Sequence, residues 1–216
     1  MDRETFSKAG MSLQNRIDPW GNLNRTSARG AWLGNRGILH NEKKEIVAPW
    51  RHKAWIICNL EFKGRKREVF SANSYSELFF LDEATALSAG HRPCAECRRK
   101  RYTEFKTAWC NANAYGNVVP VSQIDKQLHS ERAIRSGGKI TFEIEFSMLP
   151  EGAFIEIGKT ALLFWKEKLK HWSFEGYESF DYQPAPSEPV KVLTPFSTIQ
   201  LLRSGFRPQV HETAMR

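Results

Sequence analysis

The sequence predicts an α+β protein in which a basic, cysteine-bearing, zinc-knuckle N-terminal module precedes a mainly antiparallel β part, a small rolled sheet or open barrel. Three observations carry that expectation. Apolar runs of strand length alternate with helical segments around a C-x-x-C turn in the first half. KITFEIEF in the second half alternates without a fault and is followed by several short strand-like runs. Finally, the charge is unevenly divided: residues 1–110 hold 20 Lys+Arg against 12 Asp+Glu, whereas residues 111–216 hold 12 of each, so the whole net charge of +8 sits in the first half. All four cysteines are there too. No apolar run approaches the roughly 18 residues that cross a bilayer, so a transmembrane protein is excluded and no membrane partner is expected. The polar start MDRETFSKAG does not read as a secretory leader, and a cytoplasmic protein is expected. Seven Trp and 12% aromatic residues are too rich for disorder.

Residues 1–45 read as an irregular basic arm, with Arg25, Arg29 and Arg36 interleaved with Gly30, Gly34 and Gly37. Such a loop can approach phosphates, and a loop that packs Trp20 and Trp32 onto the body accounts for it equally well. Residues 46–112 are expected to form the metal-binding, nucleic-acid-binding module. Within it KAWIICNLEF reads as a buried strand, GRKRE as a charged turn, and the region of Val69 as a second strand. After YSELFFL, Asp82 caps a short helix and Gly90 ends it. The next helix buries Tyr102, Phe105 and Trp109 at i, i+3 and i+7. Residues 113–216 are expected to be a mainly β domain with flanking helices. Ser122 and Asp125 have the spacing of a capping box, and Gly137-Gly138 closes that helix. AFIEI, TALLFW, LKHWSF and VKVL read as strands, with a turn at Lys166-Glu167-Lys168. A last helix has Thr194 as its cap, Pro195 at its first position and Gly205 past its end. AGHRP at 89–93 is echoed by SGFRP at 204–208, which two helix-end glycines could produce by chance.

The sharpest chemical signal is Cys94-Ala95-Glu96-Cys97 after Gly90-His91-Arg92-Pro93. Two thiolates in one tight turn can share a tetrahedral ion, and a helix N-terminus aimed at them lowers their pKa. A thioredoxin-like redox pair competes with that reading, but it would follow a strand directly, and here a helix precedes. The stretch ELFFLDEATALSAGHRPCAECRRK resembles the second half of the metal-binding domain of bacterial Ada methyl-phosphotriester repair proteins, over about residues 53–105. The resemblance implies zinc held by Cys94 and Cys97 with Cys58 from the preceding strand, His91 replacing the family's usual aromatic residue. The family's second strand cysteine is absent, since Phe62 stands there, so the fourth ligand is His52, His91, Cys110, water or nothing. His52 joins Cys58, Cys94 and Cys97 as the candidate metal set. Alkyl transfer to Cys58, which the family's chemistry would imply, is weighed against an ordinary buried strand thiol.

Arg65, Lys66 and Arg67 after the Cys58 strand, and Arg92, Arg98, Arg99 and Arg101 around the knuckle, are the candidate nucleic-acid contacts, against the bland reading of two solvated charge runs. His129 with Glu131 lie i, i+2 on a helix and so face apart. Glu77, His40 and His52 lack a placed catalytic partner. The sequence is read as that of a zinc-dependent DNA-binding protein of bacterial repair or maintenance. The alternatives are a nuclease or base-processing enzyme with its site between the halves, and a non-enzymatic zinc module for RNA or protein contact.

Overall fold

A computed structural model describes residues 12–64, 68–134 and 138–216. The stretch expected as an irregular arm supplies three strands: β1 (Gln14–Ile17), β2 (Leu23–Arg25) and β3 (Trp32–Asn35). They join β4 (Ile56–Cys58), β5 (Leu78–Phe80) and β6 (Arg92–Pro93) in a six-stranded sheet of order β2-β1-β5-β3-β4-β6. Each of these strands has at most four residues, too few for alternation to register above the surrounding turn residues. The hairpin from β1 to β2 is closed by Asp18, whose carboxylate accepts from Asn22 N at 2.9 Å and from Asn24 Nδ2 at 2.9 Å. The sheet is mixed, with β1 parallel to β5 and β4 parallel to β6. No strand forms at Val69; it lies in a turn, and Phe70 takes φ 59 with its N–H donating to Glu77 Oε2 at 2.8 Å.

Asp82 caps α1 (Glu83–Ser88) as expected, accepting from Thr85 N. On α2 (Arg99–Asn113), Phe105 and Trp109 are buried. The capping box expected on α3 (Val121–Arg132) does not form. Pro120 is the cap, which puts Ser122 inside the first turn, and the Asp125 carboxylate is taken by Arg92, Nε to Oδ1 at 2.7 Å and Nη2 to Oδ2 at 2.8 Å. The helix ends at Arg132, and Gly137 lies outside the described residues.

The second sheet is fully antiparallel. It comprises β7 (Phe142–Glu145), β8 (Phe154–Ile157), β9 (Thr160–Trp165), β10 (Lys168–Ser173), β11 (Gly176–Ser179) and β12 (Pro189–Val192), in the order β11-β10-β9-β8-β12-β7. It is an open sheet, with β11 and β7 at its edges. Lys166 and Glu167, both at positive φ (50 and 61), make the two-residue turn from β9 to β10 whose twist suits a hairpin. The cap of α4 (Phe196–Arg203) also differs from expectation. Thr194 Oγ1 accepts from Phe154 N at 2.9 Å, tying β8 to the loop after β12. The first turn of α4 is served from α3 instead, where Glu131 Oε2 accepts from Ser197 N at 3.0 Å and from Ser197 Oγ at 2.7 Å.

The packing runs across the positions 45 and 112. One buried cluster takes Ile17, Ile57 and Phe80 from the first sheet, Phe105 and Leu128 from α2 and α3, and Ile155, Leu162 and Val192 from the second sheet. The halves therefore share a core rather than each enclosing its own.

The AGHRP and SGFRP echo marks two copies of one local device. Each follows a strand and a helix, with a left-handed glycine at the helix end: Gly90 at φ 82 after α1 and Gly205 at φ 97 after α4. His91 N bonds to Ala86 O and Phe206 N to Leu201 O, turning a buried ring inward each time. The two glycines differ in surroundings. A Cβ at Gly205 would meet nothing within 4 Å, whereas one at Gly90 would overlap the Arg132 side chain. Gly205→Ala should therefore cost about 1–2 kcal/mol, the left-handed penalty alone. Gly90→Ala should cost at least about 1 kcal/mol more, because Arg132 must be displaced. Urea unfolding of both variants checks the difference, and equal losses would show that Arg132 yields freely.

Candidate metal centre

Parallel pairing of β4 with β6, Ile56 opposite Arg92 and Ile57 opposite Pro93, sets Cys58 beside Cys94. The ladder continues one step further, as Cys94 N donates to Ile57 O at 2.9 Å. The chain then turns over Cys94–Cys97. Glu96 N donates to Cys94 Sγ at 3.4 Å and Arg98 N to Cys94 O at 3.2 Å, which brings the Cys97 sulfur back over the same spot. Asn59 Nδ2 holds the turn against the end of β4 through Cys97 O at 2.8 Å. The three sulfurs lie within 4.8 Å of one another. Tetrahedral zinc with Zn–S bonds of ~2.3 Å needs sulfurs about 3.8 Å apart, so the donor set fits a thiophilic divalent ion with little adjustment.

The electrostatics divide the three thiols. Cys94 is lowered to about 5, first by the hydrogen bond it accepts from Cys58 and then by the backbone N–H groups of Cys97 and Glu96. Cys58 is raised, first by donating that bond and then by burial. Burial also raises Cys97. Before metal binds, the cluster is thus one thiolate supported by two thiols at neutral pH.

Of the other proposed ligands, none belongs to the cluster among the described residues. His52 sits over Gly37 with Arg51, near Asp125 and Arg132, and is not one of the three clustered donors. His91 is fully buried; its Nε2 accepts from Arg36 Nε at 3.1 Å and its ring packs on Phe80 and Trp55, so it does the work of the aromatic residue it replaces. Cys110 is buried in the core on α2. Among the described residues the metal-ligating cluster is these three cysteines, with no fourth protein donor beside them. A cavity of about 370 Å³, walled by Cys97, Asn59, Trp32 and Arg99 among others, opens beside them. Contrary to the sequence argument against a redox pair, a strand, β6, does directly precede the motif and α2 follows it. What separates this turn from a bare C-x-x-C is the third sulfur of Cys58.

The basic residues are mostly spent inside the fold. Arg92 is buried in the bidentate pair with Asp125. Arg98 is buried against Glu83 at 2.9 Å and lies over the Trp32 ring at 3.8 Å. Arg101 reaches Glu83 at 2.7 Å, bonds Arg207 O and covers the Phe206 ring at 3.9 Å. Each of these three would have to break an ion pair to reach a phosphate. Arg99 and Lys100 are exposed. Arg65, Lys66 and Arg67 lie outside the described residues.

The weaker acid/base candidates have structural partners. His40 Nδ1 meets Ser76 Oγ at 2.6 Å and stacks on Phe70. Glu77 accepts from Phe70 N, and Glu131 serves α4 while His129 faces Trp50. Sequence reasoning missed Asn59, which clamps the turn, and Glu83, which draws Arg98 and Arg101 inward; a lone amide after a strand carries no spacing signal, and Glu83 reads as ordinary first-turn acid. Comparison with family models, with curated proteins and with solved structures returns no match to this chain.

Three thiol sulfurs that converge predict a defined metal behaviour. Cys58→Ser, Cys94→Ser and Cys97→Ser should each lower zinc affinity at least about tenfold, while Cys110→Ser keeps it; competition with a chromogenic chelator reads both. Because Cys58 and Cys97 hold their protons and Cys94 does not, uptake of one ion near neutral pH should release about two protons, and affinity should fall as pH falls. Calorimetry in two buffers of different ionisation enthalpy measures that number.

Proposed function

We propose that the protein is a zinc-stabilised nucleic-acid-binding protein, with an Ada-type knuckle in its N-terminal sheet and DNA as its partner, acting in repair or maintenance. The convergence of Cys58, Cys94 and Cys97 is the observation that carries the reading. The charge surplus of residues 1–110 supports a polyanionic partner. Exposed Arg99 and Lys100, on the first turn of α2, and Lys63 beside Glu96 border the metal centre. With Arg92, Arg98 and Arg101 engaged internally, such a surface neutralises only about two or three phosphates, which corresponds to a salt slope of about −2 to −3 on duplex DNA. A second reading, a metal-assisted hydrolase acting on nucleic acid, is favoured by the cavity beside Cys97 and the three-ligand set, which leaves a position for water.

Electrophoretic mobility shifts across a salt series test the first reading. Replacing Arg99 and Lys100 together by Gln should weaken duplex binding and make the slope shallower by about two, with the fold intact. Absence of any shift at low salt would remove DNA as the partner. Altered plasmid or oligonucleotide on incubation with the zinc-loaded protein would transfer the conclusion to the hydrolase.

A further inference from the structure

A cavity of about 440 Å³ is walled by the turn from β1 to β2 and by the segment 46–50, and two arginines line it. Arg36 is 1% exposed; its Nε donates to His91 Nε2 and its Nη1 to Gly21 O at 2.9 Å, while Nη2 has no hydrogen-bond partner. That nitrogen ends beside Gly21, itself a wall of the cavity. Arg132 is 3% exposed; its terminal nitrogens bond Gly90 O and Lys53 O, and its Nε has no partner. Both guanidinium groups sit over the Trp55 ring, at 3.9 and 4.0 Å from its centroid. They are thus no more than about 8 Å apart, within one Debye length.

Two buried like charges so close call for a counter-charge, and the fold supplies little. Lys139 adds a third cation next to them, with Nζ bonded to Ser88 O. Among the described residues Asp18 is the carboxylate that faces Arg36 and Lys139, and its oxygens already serve Asn22 and Asn24. Asp125 and Glu131 face Arg132, but one is paired with Arg92 and the other caps α4. With Asp125 balanced by Arg92, the cations Arg36, Arg132 and Lys139 face the carboxylates Asp18 and Glu131, a surplus of one positive charge. Burial holds Arg36 down at about 9 and Lys139 at about 7. A phosphate monoester is anionic at neutral pH and offers three acceptor oxygens, enough to serve both the unpartnered Arg36 Nη2 and the unpartnered Arg132 Nε. Among the remaining walls are the half-buried Trp50 ring, which leans on the buried Trp55, and the apolar side chains of Leu23 and Val47. The volume is that of a small-ligand site, on the order of 300–1,000 Å³.

We propose that this cavity binds a nucleoside monophosphate unit, with its phosphate on Arg36 and Arg132 and its base against Trp50. The unit is either a free mononucleotide or the 5′-terminal nucleotide of a strand; the free-nucleotide arm of the test is independent of any DNA-binding surface at the metal centre. Calorimetric titration of the zinc-loaded protein with adenosine 5′-monophosphate, adenosine, inorganic phosphate, and a short oligonucleotide with or without a 5′-phosphate distinguishes the sources. The expected result is that the nucleotide or the 5′-phosphorylated strand binds at least about tenfold more tightly than adenosine, inorganic phosphate or the unphosphorylated strand. Arg36→Gln should weaken that binding at least about tenfold. Should Arg36→Gln fail to fold, Val47→Glu serves in its place: Val47 is 55% exposed on the cavity wall, so a carboxylate there repels the phosphate without entering the buried network. Preference for the free nucleotide or for the strand end assigns the source, and either supports the proposal. No binding of either phosphorylated probe, adenosine binding as tightly as its monophosphate, or undiminished binding by Val47→Glu would overturn it.

Discussion

Two adjacent carboxylates, Asp82 and Glu83, are buried at the start of α1, and their need for partners ties the two halves of the chain together. Glu83 accepts from Arg98 at 2.9 Å and Arg101 at 2.7 Å on one side and from Gln209 N at 2.9 Å on the other. Asp82 accepts from Thr85 N and Oγ1, from Tyr177 OH at 2.7 Å and from His211 N at 3.0 Å. Trp172 Nε1 completes the group through Thr85 Oγ1. The partners come from α2, from β10 and β11 and from the chain after α4. Leaving one such buried charge unpaired costs about 3–5 kcal/mol, so each contact constrains where its element must lie. Burial raises the Asp82 pKa, while its hydrogen bonds from Thr85, His211 and Tyr177 act in the opposite sense.

This requirement also accounts for the fate of the positive charge. A run of cations beside a metal knuckle has the composition of a phosphate-binding face, yet Arg98 and Arg101 neutralise Glu83, and Arg92 neutralises Asp125. What remains outward near the cysteines is Arg99 and Lys100. The unpaired positive potential lies instead around Trp55, where Arg36, Arg132 and Lys139 meet.

The metal centre and that cationic cavity stand at opposite ends of one pair of strands. Trp55 precedes β4 and Cys58 ends it; His91 precedes β6 and Cys94 follows it. Three residues of strand separate the two sites, about 10 Å. An ion bridging Cys58 and Cys94 would pin this pair at one end and so fix the spacing of Trp55 and His91 at the other. His91 illustrates the economy of the arrangement: its ring fills an aromatic position against Phe80 while Nε2 orients Arg36.

Features governed by contacts within about five residues were readable from the sequence: the Asp82 cap, the left-handed Gly90, the C-x-x-C turn and the alternation of residues 142–145. Each is settled by backbone geometry or capping that neighbouring residues alone supply. The tertiary structure decided what lies farther apart in the chain. Asp125 looked like half of a capping box and became the partner of Arg92, 33 residues away. Thr194 looked like a cap and became a clasp on β8, 40 residues away. Residues 14–35 looked like a loop because their strands are stabilised by pairing across the sheet, which leaves no local period. Local chemistry therefore determined where the sulfurs gather, while the choice of which arginines face an internal carboxylate and which face a cavity needed the burial that only long-range packing creates.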